Sequence, residues 1–220
     1  MDSLNQNSVP SSTRSRGERK PKKDKTQQTF FQTDAGTELS KVGKSIYQFR
    51  IDLEGIRPPI WRRILVPGDS TLKDLHKAIQ DVMGWEDYHL HEFQLPDPFS
   101  GNRISLDNSQ EDNELIEDWF DLENPRGRYI YDFGDYWEHI IKLEKIQSLD
   151  EGAAYPQCTG GKRASPPEDC GGVGGYQEML EILKDPEHEE YEETVEWLGD
   201  NFDPEEFNPE AVVFRGLGDS

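Results

Sequence analysis

The sequence has few cysteines and no long hydrophobic run, and these absences limit the kinds of protein it can be. Only two of its 220 residues are cysteine, hydrophobic residues make up 33% of the chain, and the mean hydropathy is -0.89. No apolar stretch approaches the roughly 20 residues that a membrane-spanning helix needs, and no apolar segment follows a basic start at the N-terminal end. We therefore expect a cytoplasmic protein without a membrane segment, whose thiols are reduced or metal-bound rather than disulfide-bonded.

Positive charge is also scarce, and it is unevenly distributed. The chain carries 24 Lys and Arg against 45 Asp and Glu, which gives a net charge of -21. Residues 1–44 contain nine basic and five acidic side chains, a net of +4, so the remainder carries -25. A region with this negative balance repels phosphate backbones, and direct DNA binding by it is therefore disfavoured.

The composition changes at about residue 45, and this change predicts a domain boundary. Residues 1–44 are rich in Ser, Gln, Lys and Thr without a sustained hydrophobic period, which is typical of a disordered basic tail. Their tract RGERKPKKDK is compatible with nucleic-acid contact or nuclear import, although its composition favours a solvated tail. Residues 45–215 are sufficient for one well-packed domain.

Two kinds of hydrophobic period predict the fold of this domain. Apolar and polar residues alternate as in half-buried strands at 47–53, 60–66, 89–95 and 102–106, and in a hairpin over 129–146 that turns at 134–135. Thr71 and Asp74 form a capping-box pattern, and helical spacing follows until Gly84. Further helices are predicted at 176–183 and 186–198, with a short one opening at 203–204.

These elements predict an α+β fold, in which a curved and mostly antiparallel sheet of roll or grasp-like type packs against helices. The C-terminal helices form a strongly acidic cap, since residues 178–210 contain fourteen acids and a single base, Lys184. The glycines of GGVGG at 171–175 lack the GK[ST] of a phosphate-binding loop. We expect them to allow tight turns against the sheet.

Six segments, taken in order, resemble one family. They are IRPPIWRRI at 56–64, MGW at 83–85, HLHEF at 89–93, YDFGDYWEHIIKLE at 131–144, CTGGKRASPPEDCGGVGGY at 158–176 and FDPEEFNPEAV at 202–212. The chain thus resembles the plasmid pRiA4b ORF-3-like family, whose members are carried on plasmids, insertion elements and chromosomes. The resemblance implies an α+β fold and an association with mobile elements, but no assigned activity. Ser165 stands where many members have a cysteine, so a three-thiol metal site is incomplete here.

Histidines and cysteines provide candidate metal ligands. His89 and His91 share a predicted strand face with Phe93, and His139 shares a face with Trp137, so the three imidazoles are expected on the inner side of the sheet. Together with thiols on a glycine-rich loop they could form a zinc site, for which we name the ligands His91, His139, Cys158 and Cys170. Alternatively, the histidines are hydrogen-bonded groups of the core, because no CxxC or HxxxH spacing supports a site.

Carboxylates near the hairpin turn and in the PPED segment provide candidate cleft residues. The cleft candidates are His89, Asp132, Asp135, Glu168 and Asp169, which could act as acid, base or ligand. The alternative is that the turn carboxylates accept hydrogen bonds from local backbone N–H groups. We expect the loop from 158 to 176 to pack against the sheet near His91 and His139 and to form the rim of the main cleft.

Two classes of function fit these observations. The first is a non-catalytic binding module with an unidentified protein partner, in which an acidic face selects a basic or metal-bearing partner and aromatic side chains anchor it. The proposed anchors are Trp61, Trp85, Trp137 and Tyr136. The alternative is a metal-dependent hydrolase that uses His89, His91 and His139 as ligands and Asp135 or Glu168 as base. The sequence contains no complete catalytic constellation.

Overall fold

The computed structural model describes residues 45–199 and 202–215. The predicted tail, residues 1–44, lies outside the described residues. Within these residues the structure has seven strands and four α-helices. In chain order they are β1 (Ser45–Leu53), β2 (Ile60–Pro67), α1 (Leu72–Met83), β3 (His91–Pro96), β4 (Arg103–Asp107), α2 (Ile116–Trp119), β5 (Arg126–Tyr131), β6 (Trp137–Ser148), β7 (Gln157–Lys162), α3 (Gly172–Ile182) and α4 (Tyr191–Leu198). Each helix in the described part of the chain is too short or too polar to span a bilayer.

All seven strands form one antiparallel sheet in the order β4-β3-β5-β6-β1-β2-β7. In β1, the side chains of Phe49, Ile51 and Leu53 are fully buried while those between them are partly exposed. This alternation is the consequence of one face packing on the core and the other facing water. The predicted α+β fold with a mostly antiparallel sheet is confirmed.

Helix α1 begins and ends where the sequence indicates. The Thr71 hydroxyl accepts a hydrogen bond from the backbone N–H of Asp74, and the Asp74 carboxylate accepts one from the backbone N–H of Thr71. Gly84 ends the helix in the left-handed conformation, at φ 72°, which glycine adopts without a Cβ clash. The apolar side of α1 packs into the core on the inner face of the sheet.

The predicted hairpin is formed by β5 and β6, with Tyr129 opposite His139 and Tyr131 opposite Trp137. All four of these side chains are buried. Phe133, which the alternation assigned to the first strand, lies in the turn and is half exposed. The strand ends early because Asp132 has φ 56°, a left-handed conformation that stops the pairing.

Three local predictions in the C-terminal half are wrong. The first five residues of the predicted loop, 158–162, belong to strand β7 instead. Their glycines gave no strand signal, but the backbone of β7 pairs with β2. The helix predicted from 186 begins only at Tyr191, because Asp185 accepts hydrogen bonds from Glu187 and His188 that form a turn. No helix opens at 203–204: Pro204 and Glu205 form a turn, and a short 3-10 helix follows at Pro209–Ala211.

Candidate functional site

Three potential ligands meet where β3 begins and β5 ends. His89 lies just before β3 and Asp132 directly after β5, and because these strands are antiparallel with His91 opposite Tyr131, both residues lie at the same end of the sheet. Asp169 lies in the loop that precedes α3. The His89 Nε2 atom is 3.1 Å from Asp169 Oδ1 and 3.8 Å from Asp132 Oδ2. We call His89, Asp132 and Asp169 the strand-end cluster.

The loop that carries Asp169 is fixed on both sides of that residue. Before it, the Glu168 carboxylate accepts hydrogen bonds from the Tyr131 hydroxyl at 2.5 Å and from the Glu86 backbone N–H at 2.7 Å. After it, the Gly171 N–H donates to Asp135 Oδ2 at 3.1 Å. Burial, reinforced by the Glu168 carboxylate, raises the pKa of Tyr131 well above its usual value, so this hydroxyl is a hydrogen-bond donor at neutral pH.

The structure therefore brings the five cleft candidates of the sequence analysis into one region. Three of them form the strand-end cluster, and the other two, Asp135 and Glu168, accept hydrogen bonds that position the loop. Asp132 also accepts a hydrogen bond from the Gly134 N–H at 2.8 Å, as expected for a turn carboxylate. Whether any of these residues has a chemical function stays a prediction.

The four predicted zinc ligands lie on separate elements. His91 is on β3, His139 on β6, Cys158 on β7 and Cys170 in the loop before α3, and both thiols are free. Among the described residues, two groups of potential ligands have their atoms within 4.8 Å of one another, and neither group contains His139, Cys158 or Cys170. Burial raises the pKa of both thiols, that of Cys170 to about 12 with help from the Asp135 carboxylate. Neither thiol is therefore ionised at neutral pH without a metal.

His139 lies in the aromatic core. Its ring is fully buried between Tyr129 and Trp85, with ring centroids 5.4 Å from each. The Nδ1 atom lies 3.3 Å from the Tyr129 carbonyl oxygen, and Nε2 is buried without a hydrogen-bond partner. Burial lowers the pKa of His139 to about 4, so this imidazole is neutral near pH 7.

Sequence reasoning missed a contact between two buried histidines. The imidazoles of His76 on α1 and His91 stack in parallel, with centroids 3.6 Å apart and an interplanar angle of 4°. His76 Nδ1 is 2.8 Å from the Tyr129 hydroxyl, and His91 Nε2 is 2.8 Å from a carboxylate oxygen of buried Glu111. Helical spacing from Leu72 already places His76 on the buried side of α1, and this signal could have found it.

The stacked pair forms the other ligand group, His76, Asp87 and His91, but its geometry is unsuited to a single ion. A metal binds in the plane of an imidazole, along the lone pair of its nitrogen, and parallel stacked rings direct their lone pairs side by side. Both nitrogens of His76 also have partners, since Nε2 lies 3.0 Å from Asp87 Oδ1. Burial, and next the neighbouring His91, lower the pKa of His76. We interpret this group as a buried hydrogen-bond network.

An acidic groove lies beside the strand-end cluster, between α3 and α4. Its volume is about 700 Å³, and Asp169 and Cys170 are among its lining residues. Met179, Ile182 and the half-exposed Trp197 contribute apolar surface. The groove has no Lys or Arg among its described lining residues, and its carboxylates are Asp169, Glu178, Glu190, Glu193 and Glu196.

Most of the aromatic anchors that the sequence suggested are not available to a partner. Trp85 and Trp137 are 1% and 0% exposed, so the prediction that they anchor a partner is wrong. Trp85 enters the core directly after α1, and Trp137 lies on the inward face of β6. Trp61 lies on the open face of the sheet with the guanidinium groups of Arg50 and Arg63 over its ring, at 4.3 and 5.1 Å. Tyr136 is 52% exposed and is the anchor that remains.

Comparisons with known proteins match one family model and two relatives of unknown function. Residues 45–211 match the model of the plasmid pRiA4b ORF-3-like protein family. An uncharacterized protein of Sinorhizobium fredii, y4hQ, is 37% identical over 170 residues, which cover 70% of this chain and 81% of the relative. The chain is also similar to a protein of unknown function from Methanosarcina mazei Go1, MM3350, whose crystal structure is known. The two sequences are 53% identical, the TM-score is 0.75, and the match covers 78% of this chain and 99% of the MM3350 chain.

Proposed function

This chain belongs to the plasmid pRiA4b ORF-3-like family, and we propose that its domain is a non-catalytic interaction module that binds a basic segment of a partner protein. The proposal includes the association with mobile elements that the family resemblance implies. The names of the two relatives state no activity, and the metal-dependent hydrolase alternative gains no support from them. Direct DNA binding by the domain is disfavoured by its charge.

The groove between α3 and α4 is the observation that carries the proposal. Five carboxylates line it without a Lys or Arg among its described lining residues, so their negative potential is not neutralised from within the groove. Such a potential attracts cationic side chains and speeds their encounter with the surface.

Trp197 gives this surface a means of specific contact. It is 52% exposed on α4, beside Met179 and Ile182. Tryptophan is common among the residues that dominate binding energy at interfaces, and its ring attracts Lys and Arg by cation–π contact. A segment that alternates basic and apolar residues therefore fits the groove better than a purely basic one.

Peptide binding tests the proposal. A fluorescent peptide with Lys or Arg at alternate positions should bind the full chain, and a peptide of equal length with Glu at those positions should not. Trp197→Ala and Glu193→Lys should each weaken binding by about tenfold or more, equivalent to about 1.4 kcal/mol. Glu151→Lys is the matched control, because it changes the net charge by the same amount as Glu193→Lys. Glu151 is exposed in the loop between β6 and β7.

Two outcomes would count against this function. Equal weakening by Glu151→Lys and Glu193→Lys would indicate attraction to the net charge alone. Failure of every basic peptide to bind at low salt would refute the proposal, because charge attraction is strongest when salt does not screen it.

A further inference from the structure

The strand-end cluster has the spacing of ligands around one ion. Two atoms that each lie about 2.1 Å from a zinc ion are about 3.0 Å apart at a right angle and about 3.4 Å apart at the tetrahedral angle. His89 Nε2 lies 3.1 Å from Asp169 Oδ1 and 3.8 Å from Asp132 Oδ2. All three potential ligand atoms lie within 4.8 Å of one another. One ion can therefore contact all three with small side-chain movements.

The imidazole of His89 has an unsatisfied nitrogen at this position. Its Nε2 atom is shielded from solvent and makes no hydrogen bond, although Asp169 Oδ1 lies 3.1 Å away. A buried polar atom without a partner is costly. A cation bound on the lone pair of Nε2 removes this cost and simultaneously neutralises the neighbouring carboxylates.

Asp132 gives the cluster a buried negative charge. It is 8% exposed, and its Oδ1 atom accepts the hydrogen bond from Gly134. The other oxygen, Oδ2, is the one that approaches His89. A carboxylate buried beside a second carboxylate is stabilised most effectively by a multivalent cation, because Coulomb attraction grows as water is excluded.

The surrounding residues hold the three side chains in place before any ion arrives. The Asp132 backbone N–H donates to the Leu90 carbonyl at 2.9 Å, which fixes the distance between the segments that carry His89 and Asp132. The ring of Tyr131 packs edge-on against His89 with centroids 5.8 Å apart, and its hydroxyl holds Glu168, the residue before Asp169. Ligands oriented by their neighbours in this way bind a metal more tightly.

We propose that His89, Asp132 and Asp169 form a binding site for a divalent transition-metal ion, with zinc as the ion that the donor set fits best. One imidazole nitrogen and two carboxylate oxygens are ligands that zinc accepts in a tetrahedron, with a fourth position left open. This site differs from the His and Cys set that the sequence suggested. It goes beyond the proposed interaction function and does not depend on it.

Zinc titration of the tag-free full chain, after treatment with EDTA, tests the site. Calorimetry and native mass spectrometry should show one zinc ion per chain. His89→Gln and Asp132→Asn should each lower the zinc affinity by about tenfold or more. His188→Gln is the matched control, because His188 is an exposed histidine in the turn before α4, and it should leave the affinity unchanged. Thermal unfolding without metal establishes that each variant is folded.

Cobalt substitution separates this site from a thiolate site. Bound Co²⁺ should lack the intense near-ultraviolet absorption of a cobalt–thiolate bond, and Cys170→Ser should retain zinc. Loss of zinc in Cys170→Ser, a cobalt–thiolate band, or no stoichiometric zinc in the parent protein would each overturn the proposal. Stronger binding of Ca²⁺ than of Zn²⁺ would also overturn it, because calcium prefers oxygen ligands alone. The peptide-binding test does not use zinc, so the interaction proposal and the zinc proposal can each fail while the other holds.

Discussion

Arg62 donates a hydrogen bond from its Nε atom to the carbonyl oxygen of Val82, at 2.9 Å. Arg62 is 1% exposed, and its remaining donors bind the carbonyls of Trp61 and Lys162 and the hydroxyl of Ser165. One side chain thus joins β2, the end of α1 and β7. Burial lowers the pKa of this guanidinium to about 10, but it remains charged at neutral pH. Ser165, whose hydroxyl accepts one of these bonds, therefore belongs to a structural hydrogen-bond network.

The first prediction compares Arg62 with its neighbour on the opposite face of the strand. Arg62→Ala should lower the free energy of unfolding by about 3 kcal/mol, because it removes the buried hydrogen bond to Val82 and the partly buried ones to β7 and Ser165. Arg63→Ala should cost less than about 1 kcal/mol, since Arg63 forms a partly exposed ion pair with Glu144 at 2.7 Å. Urea denaturation measures both. Equal costs would mean that the buried network contributes no more than the surface pair.

The second prediction concerns two adjacent glycines of α3. A Cβ on Gly175 would lie 1.9 Å from the carbonyl oxygen of Cys170, whereas a Cβ on Gly174 would meet nothing within 4 Å. Gly175→Ala should therefore destabilise the protein by about 2 kcal/mol or more. Gly174→Ala should stabilise it by up to about 1 kcal/mol, through helix propensity. Similar effects of both changes on the denaturation midpoint would contradict this close approach.

The third prediction concerns the two tryptophans that differ most in burial. Trp137 is 0% exposed and packs against Trp85, so Trp137→Ala should cost roughly 3 to 5 kcal/mol through the cavity it leaves. Trp197→Ala should change the free energy of unfolding by less than about 0.5 kcal/mol, which keeps it usable in the peptide experiment. A cooperatively folding Trp137→Ala variant that loses under about 1 kcal/mol would show that the strand faces are inverted.

The fourth prediction is a loss of stability in mild acid. The pKa of His139 is about 4 in the folded protein against about 6.5 in an unfolded chain. Between these values the unfolded state binds the extra proton, so stability falls as the pH falls. From pH 7.5 to pH 5, His139 should account for a loss of about 2 kcal/mol. The lowered pKa of His76 acts in the same direction.

A variant without the imidazole isolates this effect. His139→Leu should lose about 2 kcal/mol less than the parent over the same pH interval, because leucine does not titrate. Nuclear magnetic resonance titration of the His139 ring gives the folded pKa directly. A value near 6.5 would refute the prediction even if the leucine variant did not fold.

The fifth prediction concerns the domain boundary at residue 45. The composition of residues 1–44 lacks a core-forming pattern, and the family match begins at residue 45. A chain that starts at residue 45 should unfold within a few degrees of the full chain, because a segment without a core-forming pattern adds little to the stability of a domain. A larger drop in the melting temperature would assign these residues to the fold.

Much of the sheet could be predicted from the sequence because its signals are local. The alternation in β1 and the capping residues of α1 act within a few positions, and the structure forms them as the pattern indicates. Strand β7 gave no such signal. Its glycine-rich segment becomes a strand because it pairs with β2 and packs against Phe207, which lies 46 positions away from Gly161.

The candidate site shows the same difference between local signals and long-range contacts. The sequence by itself determined the α+β class and the inward direction of His91 and His139, because strand period is encoded locally. The cleft residues that it named stay a prediction. Only the tertiary structure decided that His89, Asp132 and Asp169 converge, that His91 stacks on His76, and that Trp85 and Trp137 are buried. Distances between side chains on different elements depend on strand order and loop path, and a local period contains neither.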